Sequence, residues 1–269
     1  MERRNFIFGS GAGLLALGAP AAFGQSGGGQ ASGARLQAIR ARGTLRVGTT
    51  GDFEPMSFRI AGAAEYRGLD IDAMAQFAAD IGVRVEWVAT EWGRFVAALR
   101  DNRFDIFSGA SVTPAREAQI AFADPYFEFS SVPVVSRLAA LRLKSWNDMN
   151  APGVRVAVTA GTAFEEAAKR HFPRANVRAL AAPSTGYREV LDGLADLTLT
   201  SNVDAVMLVK RNRQLVLTDA ARDPRDRRPA AFGLPPDDPA WRTAVNDWVK
   251  AKSEAGFFKS LEAKWLAAA

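Results

Sequence analysis

Ser111-Val112-Thr113-Pro114-Ala115-Arg116 is the stretch of this sequence best equipped to hold an anion. Thr113 is a good helix cap and Pro114 a good first helical residue. Arg116 then falls on the first turn, where a planar guanidinium can grip a carboxylate through two parallel bonds. An exposed helical arginine paired with Glu117 is the competing reading. Ser111 adds a hydroxyl, and Gly109 permits close backbone approach to a ligand. Gly161-Thr162 stands directly before a helical stretch, where free N–H groups and the helix dipole favour negative charge. A plain strand-to-helix turn has the same appearance. Phe53 and Trp92 can sandwich an apolar ligand body, or can be ordinary core.

Other chemistries are short of residues. The chain has no cysteine, so no disulfide framework or thiol chemistry is expected. Its single histidine, His171, argues against a zinc site or a histidine-based triad and is expected on the surface at a helix end. No metal or cofactor is expected. The formal charge is +5, with arginines scattered among acids. The one dense run, Arg222 to Arg228, mixes both signs and reads as a loop and not as a nucleic-acid footprint. A mild basic balance suits an anionic ligand.

The elements that must position these residues alternate. Leu36–Ala41 reads as a helical turn and Thr44–Thr49 as a strand, with Gly51 to Pro55 as the turn after it. Leu69–Ile81 has apolar residues at helical spacing, with Gly82 as its stop. Val83–Trp87 is a strand, Trp92–Leu99 a helix, and Phe104–Phe107 a buried strand ending at Ser108-Gly109. The order then restarts: strands at Val154–Val158, Val177–Leu180, Asp196–Thr200 and Gln214–Leu217, with helices at Ala163–Phe172, Tyr187–Leu194 and Asn202–Arg211 between them. Strand–helix alternation predicts parallel sheets covered by helices. An aspartate before a short apolar strand and a serine after it occurs in both halves, at Asp105 and Ser108 and at Asp196 and Ser201. We read two similar α/β lobes, not one long sheet. Pro- and Arg-rich sequence from Ala221 to Pro239 precedes a last amphipathic segment, Trp241 to Leu266. Its return to the first lobe would give two chain crossings.

The first residues read as an export signal. Arg3-Arg4 precede a short apolar run from Phe6 to Leu17, and small residues cluster at Ala19-Pro20-Ala21-Ala22. The run is too short to span a bilayer. The paired arginines resemble a twin-arginine signal; an ordinary signal with two arginines is the alternative. Residues 1–24 are expected to be the signal and 25–35 a flexible leader, rich in Gly and Gln. The periplasm is the expected location. A receptor sensor domain is not expected, since neither a membrane span nor an output domain follows Ala269.

Several motifs occur in a telling order. They are Arg42-Gly43-Thr44-Leu45-Arg46-Val47-Gly48, the Pro55 turn, Gly68-Leu69-Asp70-Ile71-Asp72, Phe104-Asp105, Ser111 to Arg116, and Phe122-Ala123-Asp124-Pro125-Tyr126. Together they resemble the family 3 extracytoplasmic solute-binding proteins of ABC importers, of the polar amino-acid-binding type. The resemblance implies a type II periplasmic-binding-protein-like α/β fold: two lobes, a cleft and a two-strand hinge. Residues 36–134 and 222–269 would form lobe 1, and 135–221 lobe 2. It implies a monomer that serves a membrane permease and closes around a small carboxylate or amino-acid-like solute. Arg116 would hold the carboxylate, assisted by Ser111 and the backbone at Thr162, with Phe53 packing on the ligand.

One position departs from the family. Amino-acid binders carry an aspartate for the ligand ammonium at the strand end where this chain has Ser201, beside Asn202. A hydroxyl cannot balance a buried ammonium. Either Asp52, Glu91 or Asp204 takes over, or the ligand lacks an ammonium group; the second is favoured at this stage. The chain also resembles cyclohexadienyl dehydratases, especially at Gly43 to Asp52. Those enzymes use the glutamate of a Gly-Thr-Asn-Glu turn as general acid. Here the turn reads Gly161-Thr162-Ala163-Phe164-Glu165, so Glu165 comes one residue late, about 100 degrees further round a helix. A binder and not an enzyme is expected.

Overall fold

The computed structural model describes residues 33–60 and 64–266. The expected export signal and the leader up to residue 32 lie outside the described residues. Ala34 and Arg35, expected in the leader, already belong to the first helix.

Helix α1 (Ala34–Arg42) ends at Gly43, whose φ of 71° turns the chain into β1 (Thr44–Thr49). The Gly51–Pro55 turn is part of a small antiparallel sheet: β2 (Asp52–Phe53), β3 (Ser57–Arg59) and β4 (Tyr66–Arg67). Helix α2 (Leu69–Asp80), strand β5 (Arg84–Ala89), helix α3 (Phe95–Arg100) and strand β6 (Ile106–Ser111) follow. Strand β6 is buried along its whole length, as a central strand covered on both faces should be. It runs on to Ser111, two residues past the Ser108-Gly109 end expected from sequence. Helix α4 (Pro114–Glu117), strand β7 (Ala121–Phe122) and the long strand β8 (Phe127–Ser136) complete the first half.

The second half holds α5 (Trp146–Met149), β9 (Arg155–Thr159), α6 (Ala163–His171), β10 (Asn176–Leu180), α7 (Gly186–Leu191), β11 (Leu197–Ser201), α8 (Asn202–Arg211) and β12 (Leu215–Val216). A second long strand, β13 (Arg225–Leu234), leads to α9 (Pro239–Glu254) and α10 (Phe257–Leu266). The sequence reading of Arg222–Arg228 as a loop is corrected here. Pro229 does not break β13, because its carbonyl accepts from Val112 N–H at 2.8 Å and proline lacks only the donor.

The hydrogen-bonded order is β10-β9-β11-β8-β13-β6-β1-β5. Strands β5, β1 and β6 are parallel, as are β10, β9 and β11; β8 and β13 pair antiparallel between the two sets. One ladder thus links both halves, where two separate sheets are expected, because β8 and β13 are long enough to serve both. Their register slips between Arg225 and Arg228, and Asp226 there takes φ 52°. The apolar cores remain divided. Buried clusters around β1, β6, α2 and α9 draw on residues 39–129 and 230–261, with Val203. Those around β9 and β11 draw on residues 132–220.

Helices α9 and α10 pack on the first half. Trp241 is fully buried 5.7 Å from Phe77, and its Nε1 donates to the Asp105 carbonyl at 3.0 Å. Trp248 Nε1 donates to Asp80 at 2.7 Å and Trp265 Nε1 to Asp72 at 2.7 Å. No helix among the described residues is long and apolar enough to cross a membrane.

Candidate functional site

Four strand ends meet at one cavity, where loops beyond the carboxyl ends of parallel strands gather in folds of this kind. Strand β1 leads to Asp52 and Phe53, β6 to Ser111 and Arg116, β9 to Thr159 and Thr162, and β11 to Thr200 and Asp204; Trp92, Phe164 and Tyr187 close the walls. The space for water centres is about 60 Å³.

Arg116 is the cation of this cavity. Thr113 caps α4 by accepting from Arg116 N–H, which fixes the start of the turn that carries the side chain. The residue is 7% exposed. Its Nη1 donates to the Ser111 carbonyl at 2.7 Å and its Nη2 to the Gly161 carbonyl at 3.0 Å. The guanidinium lies 4.9 Å from the Phe95 ring centroid and 6.0 Å from that of Trp92. Among the described residues it forms no ion pair, and three of its five N–H donors are uncommitted. Burial pushes it down to about 10, which leaves it charged at neutral pH.

The opposite wall is acidic. Asp204 is partly buried, and its Oδ2 accepts from Thr200 Oγ1 at 2.5 Å. Burial pushes its carboxyl up to about 7, and the charges of Asp52 and Glu54 add to the rise while Thr200 opposes it. Asp52 accepts from Trp92 Nε1 at 2.9 Å. Glu54, in a neighbouring pocket that shares Asp204 and Tyr187, is raised by burial and opposed by its ion pair with Arg211.

Five of the eight residues singled out in sequence line this cavity: Phe53, Trp92, Ser111, Arg116 and Thr162. Three do not. A Cβ on Gly109 would sit 2.2 Å from Tyr126 Oη and 2.6 Å from Asp70 Oδ2, so this glycine makes room for the buried Tyr126–Asp70 hydrogen bond of 2.5 Å. Gly161, at φ +76°, packs against the Gly93 backbone and offers its carbonyl to Arg116. Ser201 is fully buried and spends its hydroxyl capping α8 at Asp204 N–H. Of the three acids weighed as its replacement, Asp52 and Asp204 line the cavity and Glu91 does not. Sequence reasoning missed Thr200, Tyr187 and Thr159 altogether; hydroxyls at the ends of β9 and β11 were the available signal.

The dehydratase-like turn is also placed. Phe164 lines the cavity, whereas Glu165 turns back to accept from Gly161 N–H at 2.8 Å and from Lys169 at 2.5 Å. Burial alone would raise Glu165; Lys169 and the Gly161 N–H hold it below the ordinary glutamate range. His171 closes α6, as expected, but is only partly exposed: its ring lies tilted against Trp146, centroids 5.1 Å apart, and bonds Asp226 at 2.8 Å. No group of His, Cys, Asp and Glu among the described residues could hold a metal ion.

Comparison with known proteins places this geometry. The model of the bacterial extracellular solute-binding proteins, family 3, matches residues 45–268. Cyclohexadienyl dehydratase of Pseudomonas aeruginosa is 29% identical over 238 residues, 88% of each chain. The L-cystine-binding protein TcyJ of Escherichia coli is 26% identical over 235 residues, 87% of this chain and 86% of that one. Among solved structures, the ancestral amino acid-binding protein AncCDT-1, a precursor of cyclohexadienyl dehydratase, is 35% identical. It superimposes with a TM-score of 0.78, over 86% of this chain and 98% of that one.

Proposed function

Because the chain belongs to the bacterial extracellular solute-binding proteins, family 3, we propose that it is the periplasmic binding component of an ABC importer. Its solute is a small carboxylate of amino-acid type. The observation that carries this reading is Arg116: a buried, charged guanidinium with unspent donors at a cavity, in ion-pair contact with no acid among the described residues, with only the more distant charge of Glu166 favouring it. A buried charge without a partner is costly, and a ligand carboxylate removes that cost. Asp204 and Asp52 on the facing wall suit an ammonium group, so an amino acid fits better than the amine-free acid favoured from Ser201 alone.

Closure of two lobes is the proposed mechanism. Residues 36–134 and 222–269 form one lobe and 135–221 the other, with β8 and β13 as the hinge. The divided cores and the two long strands between them support this division. Arg116 joins the lobes in the closed form, since its two carbonyl partners lie one on each side. A ligand that bonds both walls shifts the population toward closure. The protein acts as a monomer that delivers its solute to the permease, after export by the residue 1–24 signal.

A second reading is a cyclohexadienyl dehydratase-like lyase. It rests on that relative and on Asp204, a cavity carboxyl pushed up to about 7. An acid of that strength can give up a proton near neutral pH. Against it, Glu165 points away from the cavity and is held ionised.

A thermal-shift screen over amino acids, keto acids and dicarboxylates tests the binder. Amino acids raise the melting temperature most; no shift with any carboxylate sinks the reading. Prephenate is then added to the purified protein and phenylpyruvate followed by absorbance. Turnover would replace the binder by the lyase.

A further inference from the structure

Large apolar side chains are seldom exposed on this molecule, and those that are gather in one region. Of the five among the described residues, Leu138, Leu141, Leu194 and Leu217 all belong to the second half. Two of them sit on the turn that follows β8. Ala139–Leu141 forms a single 3₁₀ turn, with Leu138 79% and Leu141 77% exposed. Residues three apart on such a turn eclipse, so both leucines share one outward face. The turn is held from within. Ala139, Ala140 and Leu143 are buried in the core around β9 and β11. Ala139 N–H donates to Ser136 Oγ at 3.1 Å, and Arg137 N–H to the Gln214 carbonyl at 2.8 Å. The inward side is spent on packing, and the outward side gives two leucines to water without the gain of burying them.

The charge around them has one sign. The hollow beside the turn is lined by Arg137, Arg142, Arg155 and Arg213 and by a single acid, Asp196. Arg142 already holds Asp196 at 3.2 Å, and Arg155 at 3.1 Å. Arg137 donates from Nε and Nη2 to the Arg213 carbonyl at 3.1 and 2.9 Å, and neither arginine pairs with an acid among the described residues. Each leucine has an arginine next to it in the chain, as Arg137-Leu138 and Leu141-Arg142. On the other flank of the turn a second hollow adds Leu217, Lys144 and Arg222, with Asp219 as its acid. No aromatic residue lines either hollow.

We infer that this face docks on an anionic lipid bilayer, with Leu138 and Leu141 entering the headgroup region and the arginines meeting lipid phosphates. Protruding leucines suit insertion, and arginine stems can lie along them while the guanidinium heads reach phosphate. A stable protein interface centres on aromatic anchors, which neither hollow contains. A second copy of this face would set arginine against arginine. The face lies at the amino ends of β9 and β11, where Arg155 and Asp196 stand, and the solute cavity lies at their carboxyl ends. Five residues of strand separate the two by about 15 Å, so docking leaves the cavity uncovered. Bilayer binding needs no solute, and it stands or falls apart from the reading proposed above.

The test is co-sedimentation of the purified protein, without its export signal, with vesicles of phosphatidylglycerol mixed into phosphatidylcholine and with vesicles of phosphatidylcholine alone. The protein binds the anionic vesicles and not the neutral ones, and added salt weakens the binding. Leu138→Ser combined with Leu141→Ser lowers the affinity about tenfold or more with no change in charge. Arg137→Gln combined with Arg213→Gln lowers it about twentyfold, from roughly fivefold for each arginine near an anionic surface. Arg100→Gln combined with Arg103→Gln makes the same change in charge at exposed sites of the first half. That pair costs less than about threefold, because charges held away from the surface are screened. If Arg137→Gln lowers the melting temperature, Arg213→Gln alone replaces its pair, with a loss of about fivefold. Absence of binding to the anionic vesicles overturns the inference. Equal losses in the two arginine pairs overturn it too, since net charge alone would then explain the binding, and so does full binding by the leucine variant. A dimer seen by sedimentation equilibrium without vesicles, and lost in the leucine variant, gives the face to a second copy. Leucine-dependent binding to poly-L-glutamate as tight as that to the vesicles gives it to an acidic protein, and either result overturns the bilayer.

Discussion

Asp105 and Asp196 hold matching places at the start of β6 and β11, and each is caught in the same way. Arg46 N–H donates to Asp105 at 2.9 Å and Arg46 Nη2 reaches its second oxygen at 2.9 Å. Arg155 N–H donates to Asp196 at 2.8 Å and Arg155 Nη2 reaches its second oxygen at 3.1 Å. At the other end of the same strands the likeness ends. Strand β6 runs on to Ser111 and the cation Arg116, while β11 runs on to Thr200 and the acid Asp204. The parts that hold the sheet together are duplicated between the halves, and the parts that face the cavity are complementary in charge. A zwitterionic solute fits that pattern, because each of its charges finds a partner on a different half.

The duplicated ends are not equal, and stability measurements should show it. Asp105 has a side-chain exposure of 2%, and Arg35, Arg42 and Arg46 all reach it. Asp196 is 10% exposed and pairs with Arg142 and Arg155, whose own side chains are about half exposed. Asp105→Ala is expected to cost about 3–5 kcal/mol in urea unfolding, the range for breaking a buried pair. Asp196→Ala should cost about 1–2 kcal/mol, nearer to a single lost hydrogen-bond network at the surface. Equal losses would mean that the two ends are equivalent after all.

At the complementary ends the largest effect falls on the cation. Arg116→Ala should weaken solute affinity by about a hundredfold or more by calorimetry, with the melting temperature little changed. Arg116→Lys keeps the charge but loses the paired donors, so most of the loss should remain. An unchanged affinity in either variant would place the carboxylate elsewhere.

The acidic end should show itself through pH. Asp204 has its carboxyl raised by burial and by Asp52 and Glu54, with Thr200 opposing and Arg211 nearby on Glu54. A carboxyl raised in the folded state is less willing to ionise there than in the unfolded chain. It therefore removes stability from the empty protein as pH climbs from about 4 toward 7. Asp204→Asn should raise the unfolding free energy of the empty protein at pH 8, by on the order of 1–2 kcal/mol, and match it near pH 4. Affinity for an ammonium-bearing solute should move the other way, rising with pH through 7 in the unsubstituted protein only. The smallest effect is expected at Glu165. Glu165→Gln should change affinity less than about threefold, since the carboxylate bonds its own turn and touches the solute path only through Gly161.

The alternation of strands and helices was legible because it repeats with clear periods, and the Thr113-Pro114 cap marked the Arg116 turn well. Strand β13 was hidden by its arginines and by Pro229, whose acceptor role in the ladder leaves no trace in composition. Gly109 was misread because the demand on it comes from Tyr126 and Asp70, which lie 17 and 39 residues away in the chain and meet only in the fold. Ser201 pointed toward an amine-free ligand. The acid weighed against this expectation, Asp204, sits one helical turn later, where the cap made by Ser201 itself orients it, and it carries the ammonium site proposed above.

Trp92 has one more consequence. It is one of six tryptophans, and it alone of them lines the central cavity, with its indole N–H on Asp52 at 2.9 Å. Arrival of a charged solute changes the electric field across that ring, so occupancy should be written into the protein's own ultraviolet emission. The other five indoles supply a steady background, and Trp92→Phe would leave a protein whose glow no longer registers whether it is loaded.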